Sequence, residues 1–127
     1  MAIKFEELPG LSVSVDRVIH QPREHDAHER PHAFTYFLTI HNKSDEPVTI
    51  LGRKWIVTAE GGETIVVEGD GVVGRTPRLE PGQKFDYNSY HLVSETSSAV
   101  GTFFGQTETG RPIFVRVPEF RMELEGA

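Results

Sequence analysis

The stretch from Phe34 to Val67 decides the fold class. Phe34, Tyr36, Leu38 and Ile40 occupy alternate positions, with Thr35, Thr39 and His41 between them, so one face is apolar and the other polar. Val48-Thr-Ile-Leu51 then leads into Arg53-Lys-Trp-Ile-Val57, and Glu60-Gly-Gly-Glu63 separates that run from Thr64-Ile-Val-Val67. Period-two alternation marks half-buried strands, and a glycine pair between two β-branched runs marks a hairpin. The same pattern extends outward. Leu11, Val13 and Val15 alternate with serines; Gly101–Gln106 and Pro112–Val117 flank Glu108-Thr-Gly110 as a second hairpin; Phe120, Met122 and Leu124 alternate with charged residues. Adjacent Phe103 and Phe104 fall on opposite faces of their strand, which leaves one of them outside the core.

No window holds a 3.6-residue period over ten or more residues. The 12 glycines and 8 prolines follow no fixed repeat and act as turn formers. Seven or more short strands at this spacing predict an all-β, immunoglobulin-like or fibronectin-III-like sandwich of antiparallel strands, with a small barrel as the alternative. Residues 1–127 read as one domain, its core spanning about 11–124 and residues 1–10 forming an N-terminal extension.

Composition narrows the function classes. Thirteen Lys and Arg against 19 Asp and Glu give a net charge of −6, an unfavourable balance for a general nucleic-acid binder. With no cysteine, thiolate zinc sites, iron–sulfur clusters, disulfides and a cysteine nucleophile are excluded. The first ten residues lack the apolar run of a signal peptide, and no stretch of ~18 apolar residues could span a bilayer, so a cytoplasmic protein is expected. No G-x-S-x-G elbow and no histidine tied to a nucleophile points to an enzyme.

Two polar segments carry the candidate sites. Gly69-Asp-Gly-Val-Val-Gly74 matches G-x-G-x-x-G, but Pro77, Pro81 and Gly82 follow too closely for the helix that a dinucleotide fold requires. Two readings stay open for it. Gly69, Gly71 and Gly74 can turn backbone N–H groups onto an anion, with Arg75 and Arg78 as counter-charges. Alternatively, the glycines serve only the turn. On the first reading Gly71→Val removes the ligand and spares the fold. The second segment, Gln21–His32, holds His25, His28 and His32 beside Glu24 and Glu29, side chains suited either to a divalent metal or to a solvated loop. Trp55 is read as a core residue, and Arg53, on the same face by parity, either pairs with an acidic residue or edges the glycine loop.

The glycine run, followed by Pro77-Arg-Leu79, Pro81-Gly-Gln83 and Phe85-Asp-Tyr87, resembles the ApaG family. Asn42-Lys-Ser44, Leu51-Gly-Arg-Lys-Trp-Ile56, Gly101-Thr-Phe103, Gly110 and Phe114-Val-Arg-Val-Pro-Glu-Phe120 extend the likeness from about Leu11 to Leu124. Thr76, Tyr90 and Val100 depart from the family's usual residues. The resemblance implies a fibronectin-type-III-like sandwich and a link to cobalt resistance and magnesium efflux. For the glycine loop it implies pyrophosphate or nucleotide binding. It also implies a protein-interaction role, since the domain occurs fused in eukaryotic F-box proteins. The expected protein is therefore a binding module without a required cofactor, engaging a protein partner through a sheet face or edge, with homodimerisation open. A divalent cation, pyrophosphate or a nucleotide are the small ligands to test.

Overall fold

Alternating apolar side chains need a second apolar layer, and here two sheets supply it to each other. The computed structural model describes residues 3–22, 32–72 and 74–124, with Pro22 by its backbone alone. Along the chain lie β1 (Glu6–Glu7), β2 (Leu11–Pro22), β3 (His32–Asn42), β4 (Val48–Ala59), β5 (Thr64–Asp70), β6 (Arg78–Leu79), β7 (Lys84–Val93), β8 (Ser97–Thr107) and β9 (Pro112–Met122). No described residue is helical. One sheet has the order β2-β3-β7, and the other runs β1-β9-β8-β4-β5 with β6 also on β4. The expected all-β sandwich is the observed one, and both hairpins form where glycine marked them, between β4 and β5 and between β8 and β9.

One pairing differs from the antiparallel expectation. β1 runs parallel to β9, with Glu6 opposite Ile113 and Glu7 opposite Phe114. The chain lays this short piece on the free side of β9, buries Leu8 and crosses to the other sheet, where β2 begins. A covered edge is one less template for unwanted pairing.

Three bulges set which side chains enter the core. Val48 and Ile50 are buried at even positions of β4, and Trp55 and Val57 at odd ones. The register shift between Ile50 and Gly52 explains the change of phase, because it inserts Leu51 as an extra residue, 42% exposed. In β9, Ile113, Val115 and Val117 precede the shift, Phe120 and Met122 follow it, and all five are buried. β2 shifts register between Val15 and Arg17.

Phe34, Tyr36, Leu38 and Ile40 are all buried, as their spacing predicts. Phe103 is buried, while Phe104 lies on the opposite face against Phe5 at 5.2 Å. Thr39 was expected on a wet face but is buried, because its hydroxyl lies 2.5 Å from Asp16 Oδ2 and 3.0 Å from Asp86 Oδ1 on the two flanking strands.

The centre of the core is aromatic. The Trp55 ring lies 5.0 Å from Tyr36, 4.9 Å from His91, 5.8 Å from Phe120 and 6.5 Å from Phe103. His91 stacks on Tyr36 at 4.8 Å, is 7% exposed, and has no hydrogen-bond partner for Nε2 among the described residues. Burial pushes its pKa down from 6.5 to about 4. The depressed folded-state value sets the sign of the pH dependence. Above pH 6.5 the ring is neutral in both folded and unfolded chains; between 6.5 and about 4 only the unfolded chain takes up the proton. We expect stability to fall by about 2 kcal/mol between pH 6.5 and 5, measured by urea unfolding. His91→Phe should flatten that slope. An unchanged slope in the variant would show that another group carries the pH dependence.

Candidate functional site

β4 and β5 run side by side until Gly52 faces Asp70, and there the chain leaves the ladder. The Gly71 N–H donates to the Leu51 carbonyl at 2.7 Å, so the bulged residue of β4 anchors the start of the glycine loop. Val72 and Arg75 then close a tight turn, with Val72 N to Arg75 O at 2.6 Å and Arg75 N to Val72 O at 3.1 Å. Val72 is buried and plugs the loop into the core. Beyond it, Ile50 N–H donates to the Pro77 carbonyl at 3.0 Å, and β6 sets Arg78 opposite Thr49 and the buried Leu79 opposite Val48.

This geometry brings the sequence-predicted loop residues together and engages several of their polar groups within the protein itself. The N–H groups of Gly71, Val72 and Arg75 are bonded to backbone carbonyls. Arg78 pairs with Glu80 and, at 3.0 Å, with Glu108 Oε2. Arg75 is exposed. The cation that holds the loop is Arg53, whose Nη1 donates to the carbonyls of Asp70 at 2.8 Å and Gly71 at 3.2 Å. Of the two alternatives left open for Arg53, the loop contact is the one that forms.

Two glycines have steric reasons to be glycine. A Cβ on Gly69 would meet Arg53 Nη2 at 2.8 Å, so the bare backbone is the bed on which the guanidinium lies. A Cβ on Gly71 would stand 2.2 Å from the Arg75 carbonyl oxygen, and its φ of +62° belongs to the left-handed region. Gly71→Val therefore does not test ligand binding on an intact fold, as the sequence had suggested, because the side chain would break the turn itself. Gly74, with φ of +80°, has open space where its Cβ would lie.

His25 and His28 lie outside the described residues. His32 opens β3, and its Nδ1 is 3.0 Å from Nε2 of His20, which stacks on Phe34 at 4.6 Å. His20 was missed because it sits in β2 and reaches His32 only through the β2–β3 pairing. Among the described residues no three His, Cys, Asp or Glu side chains come together as a metal set.

A second concave feature was not singled out from the sequence. A cleft of about 360 Å³ opens between β5 and β7, lined by Tyr36, Arg53, Trp55, Val67 and Tyr90 among others. The register places Val67 beside Trp55 and Ile65 beside Val57 on this inner face. On the outer face Val66 pairs with Ile56 and Ile56 with Val100, forming one row across three strands. They are 53%, 38% and 40% exposed. Alternation could reveal which face each residue takes, but only strand order could align them.

The ApaG domain family model matches residues 22–107. Protein ApaG of Bdellovibrio bacteriovorus is 39% identical over 114 residues, covering 89% of each chain. Protein ApaG of Deinococcus radiodurans is 35% identical over 122 residues, covering 91% of this chain and 89% of that protein. A crystal structure from Bordetella pertussis, described as an ApaA protein, superposes with a TM-score of 0.82 at 29% identity, covering 98% of this chain and all of the other. No described helix is long and apolar enough to cross a membrane.

The two turn glycines should separate in a stability measurement. Gly74→Ala should cost about 1 kcal/mol, the ordinary penalty of a left-handed alanine. Gly71→Ala should cost at least twice that, because the turn must also open. Equal urea midpoints for the two variants would contradict the steric role of Gly71.

Proposed function

The chain belongs to the ApaG domain family, and we propose that it is a non-enzymatic, cytoplasmic binding module whose partner is another protein. The observation that supports this reading is the row Val66, Ile56 and Val100, three apolar side chains at least 38% exposed and aligned across β5, β4 and β8. Single exposed apolar residues are ordinary on a soluble protein, whereas a contiguous row on a sheet face is a surface that another protein would cover. Beside the row, β5 ends the sheet with an edge that no other described strand pairs.

The family resemblance supports a role for this binding in divalent-cation homeostasis, with cobalt and magnesium as the ions concerned. The module contributes by holding a partner there, and no cofactor enters the reading. Pyrophosphate or nucleotide binding at Gly69–Gly74 is the alternative. The amides of Gly71, Val72 and Arg75, already bonded within the backbone, favour the protein-interaction reading over it. Titration calorimetry with pyrophosphate and ATP separates the two: micromolar binding weakened by Arg75→Ala would reverse the preference.

The direct test is complementation. A strain lacking this chain, challenged with cobalt, should be rescued by the wild-type protein and not by the Ile56→Glu/Val66→Glu double variant. Both positions are exposed, so the melting temperature of the variant should stay within a few degrees of wild type. A folded double variant that rescues growth as well as wild type would remove this face from the function.

A further inference from the structure

We propose that the free edge of β5 takes up an extended peptide as an added antiparallel strand, and that this peptide has a β-branched centre and basic ends. The proposal deepens the protein-interaction reading and rests on it. Among the described residues β5 is bonded to β4 on one side only, through an unbroken register from Gly52–Asp70 to Thr58–Thr64. Natural sheets protect such edges with lysine, proline, bulges or inward-pointing charge. Thr64-Ile-Val-Val67 carries none of these, β5 has no register shift against β4, and the charged residues of the strand, Glu68 and Asp70, are confined to its last three positions. The far edge of the same sheet, by contrast, is covered by β1.

Both faces of an added strand would find apolar neighbours. Its inward side chains would continue the rows Trp55–Val67 and Val57–Ile65 and enter the cleft of about 360 Å³ beneath the edge, where Tyr36 and Tyr90 provide further walls. Its outward side chains would extend the row Val66–Ile56–Val100 by one strand. Main-chain hydrogen bonds along the edge supply affinity in such complexes, and pockets for alternate side chains supply selectivity.

Charge selects the occupant. Glu60 and Glu63 stand at one end of β5, Glu68 and Asp70 at the other. Glu60 is engaged by Arg121 at 3.2 Å and Glu68 lies 3.8 Å from Lys54, whereas Glu63 and Asp70 form no ion pair among the described residues. Basic residues at the peptide's ends answer these carboxylates. A second copy of the chain would instead bring the same carboxylates and a further net charge of −6 to the edge.

Trp55 is the sole tryptophan and, although only 1% exposed, forms part of the cleft wall, so its fluorescence is the probe of occupancy. The probe is the capped peptide KVTVTVK, whose valines would face the cleft and whose threonines would face the outer row. We expect a saturable fluorescence change with KVTVTVK, binding about tenfold weaker with EVTVTVE at low salt, and none with KVTPTVK, since proline removes a main-chain donor and breaks the strand. Glu63→Lys/Asp70→Lys, at exposed positions, should invert the preference between the two charged peptides. Val67→Lys should abolish binding while the melting temperature stays near wild type. Equal binding of all three peptides would overturn the proposal. So would a chain that sediments as a dimer and becomes monomeric on Val67→Lys, since the edge would then be filled by a second copy. If no peptide perturbs Trp55 while Ile56→Glu/Val66→Glu still fails to complement, strand addition is wrong and the interaction face stands. If that double variant complements, the face itself falls.

Discussion

The position of the Trp55 indole constrains the rest of the molecule. It rises from β4 into the space between the sheets, with Phe103 and Phe120 from its own sheet around it and Tyr36 and His91 from the facing one. Its ring fills the space over Gly101 on β8, where a Cβ would come within 2.7 Å. Offset and edge-to-face rings of this kind add to the burial of area. The arrangement requires Trp55 to point inward, although Val48 and Ile50 on the same strand have the opposite parity. The bulge at Leu51 satisfies both, and it leaves the Leu51 carbonyl free to accept from Gly71.

That same phase brings Arg53 inward two residues before Trp55, and through Arg53 the core reaches the glycine loop. A guanidinium lying on Gly69 and bonded to the carbonyls of Asp70 and Gly71 fixes the end of β5. The next crossing is secured by Asn42, which is fully buried with its amide satisfied. Nδ2 donates to the carbonyls of Glu46 and Leu79, each at 2.9 Å, and Oδ1 accepts from the Ser44 N–H and hydroxyl. Buried polar groups with every partner in place specify one arrangement, because each lost bond costs the desolvation of the group left behind. The Asn42-Lys-Ser44 segment, part of the family resemblance, and the glycine segment, a candidate anion site in the sequence, are thus the two ends of one structural clamp on the connection between sheets.

With those segments engaged in the clamp, the proposed recognition surface lies on the sheets. Long loops at the ends of a sandwich are the usual place to seek a site. In this chain three of the exposed apolar side chains, Val66, Ile56 and Val100, instead align across β5, β4 and β8, next to an edge strand whose Thr64–Val67 half carries no charge or proline.

Period-two alternation and glycine turn signals are local properties of a chain, and they determined the positions of β2, β3, β4, β5, β8 and β9, the two hairpins, the burial of Phe34, Tyr36, Leu38 and Ile40, and the opposite faces of Phe103 and Phe104. The family resemblance was legible for the same reason, since its motifs are short and ordered along the sequence. β7, whose apolar residues Phe85, Tyr87 and Val93 are separated by mostly polar ones without a flanking hairpin signal, was not legible as a strand. Tertiary structure alone decided the rest. The bulges that rephase β2, β4 and β9 depend on what each strand must meet across the core, and the parallel seating of β1 depends on which edge of β9 remains free. Whether Gly71, Val72 and Arg75 point N–H groups at solvent or at carbonyls depends on Leu51 and on the turn itself, contacts that no spacing rule contains. His20 meets His32, and Val66 joins Ile56 and Val100, only through register. Register is set by many weak non-local contacts acting together, so no single stretch of sequence carries it.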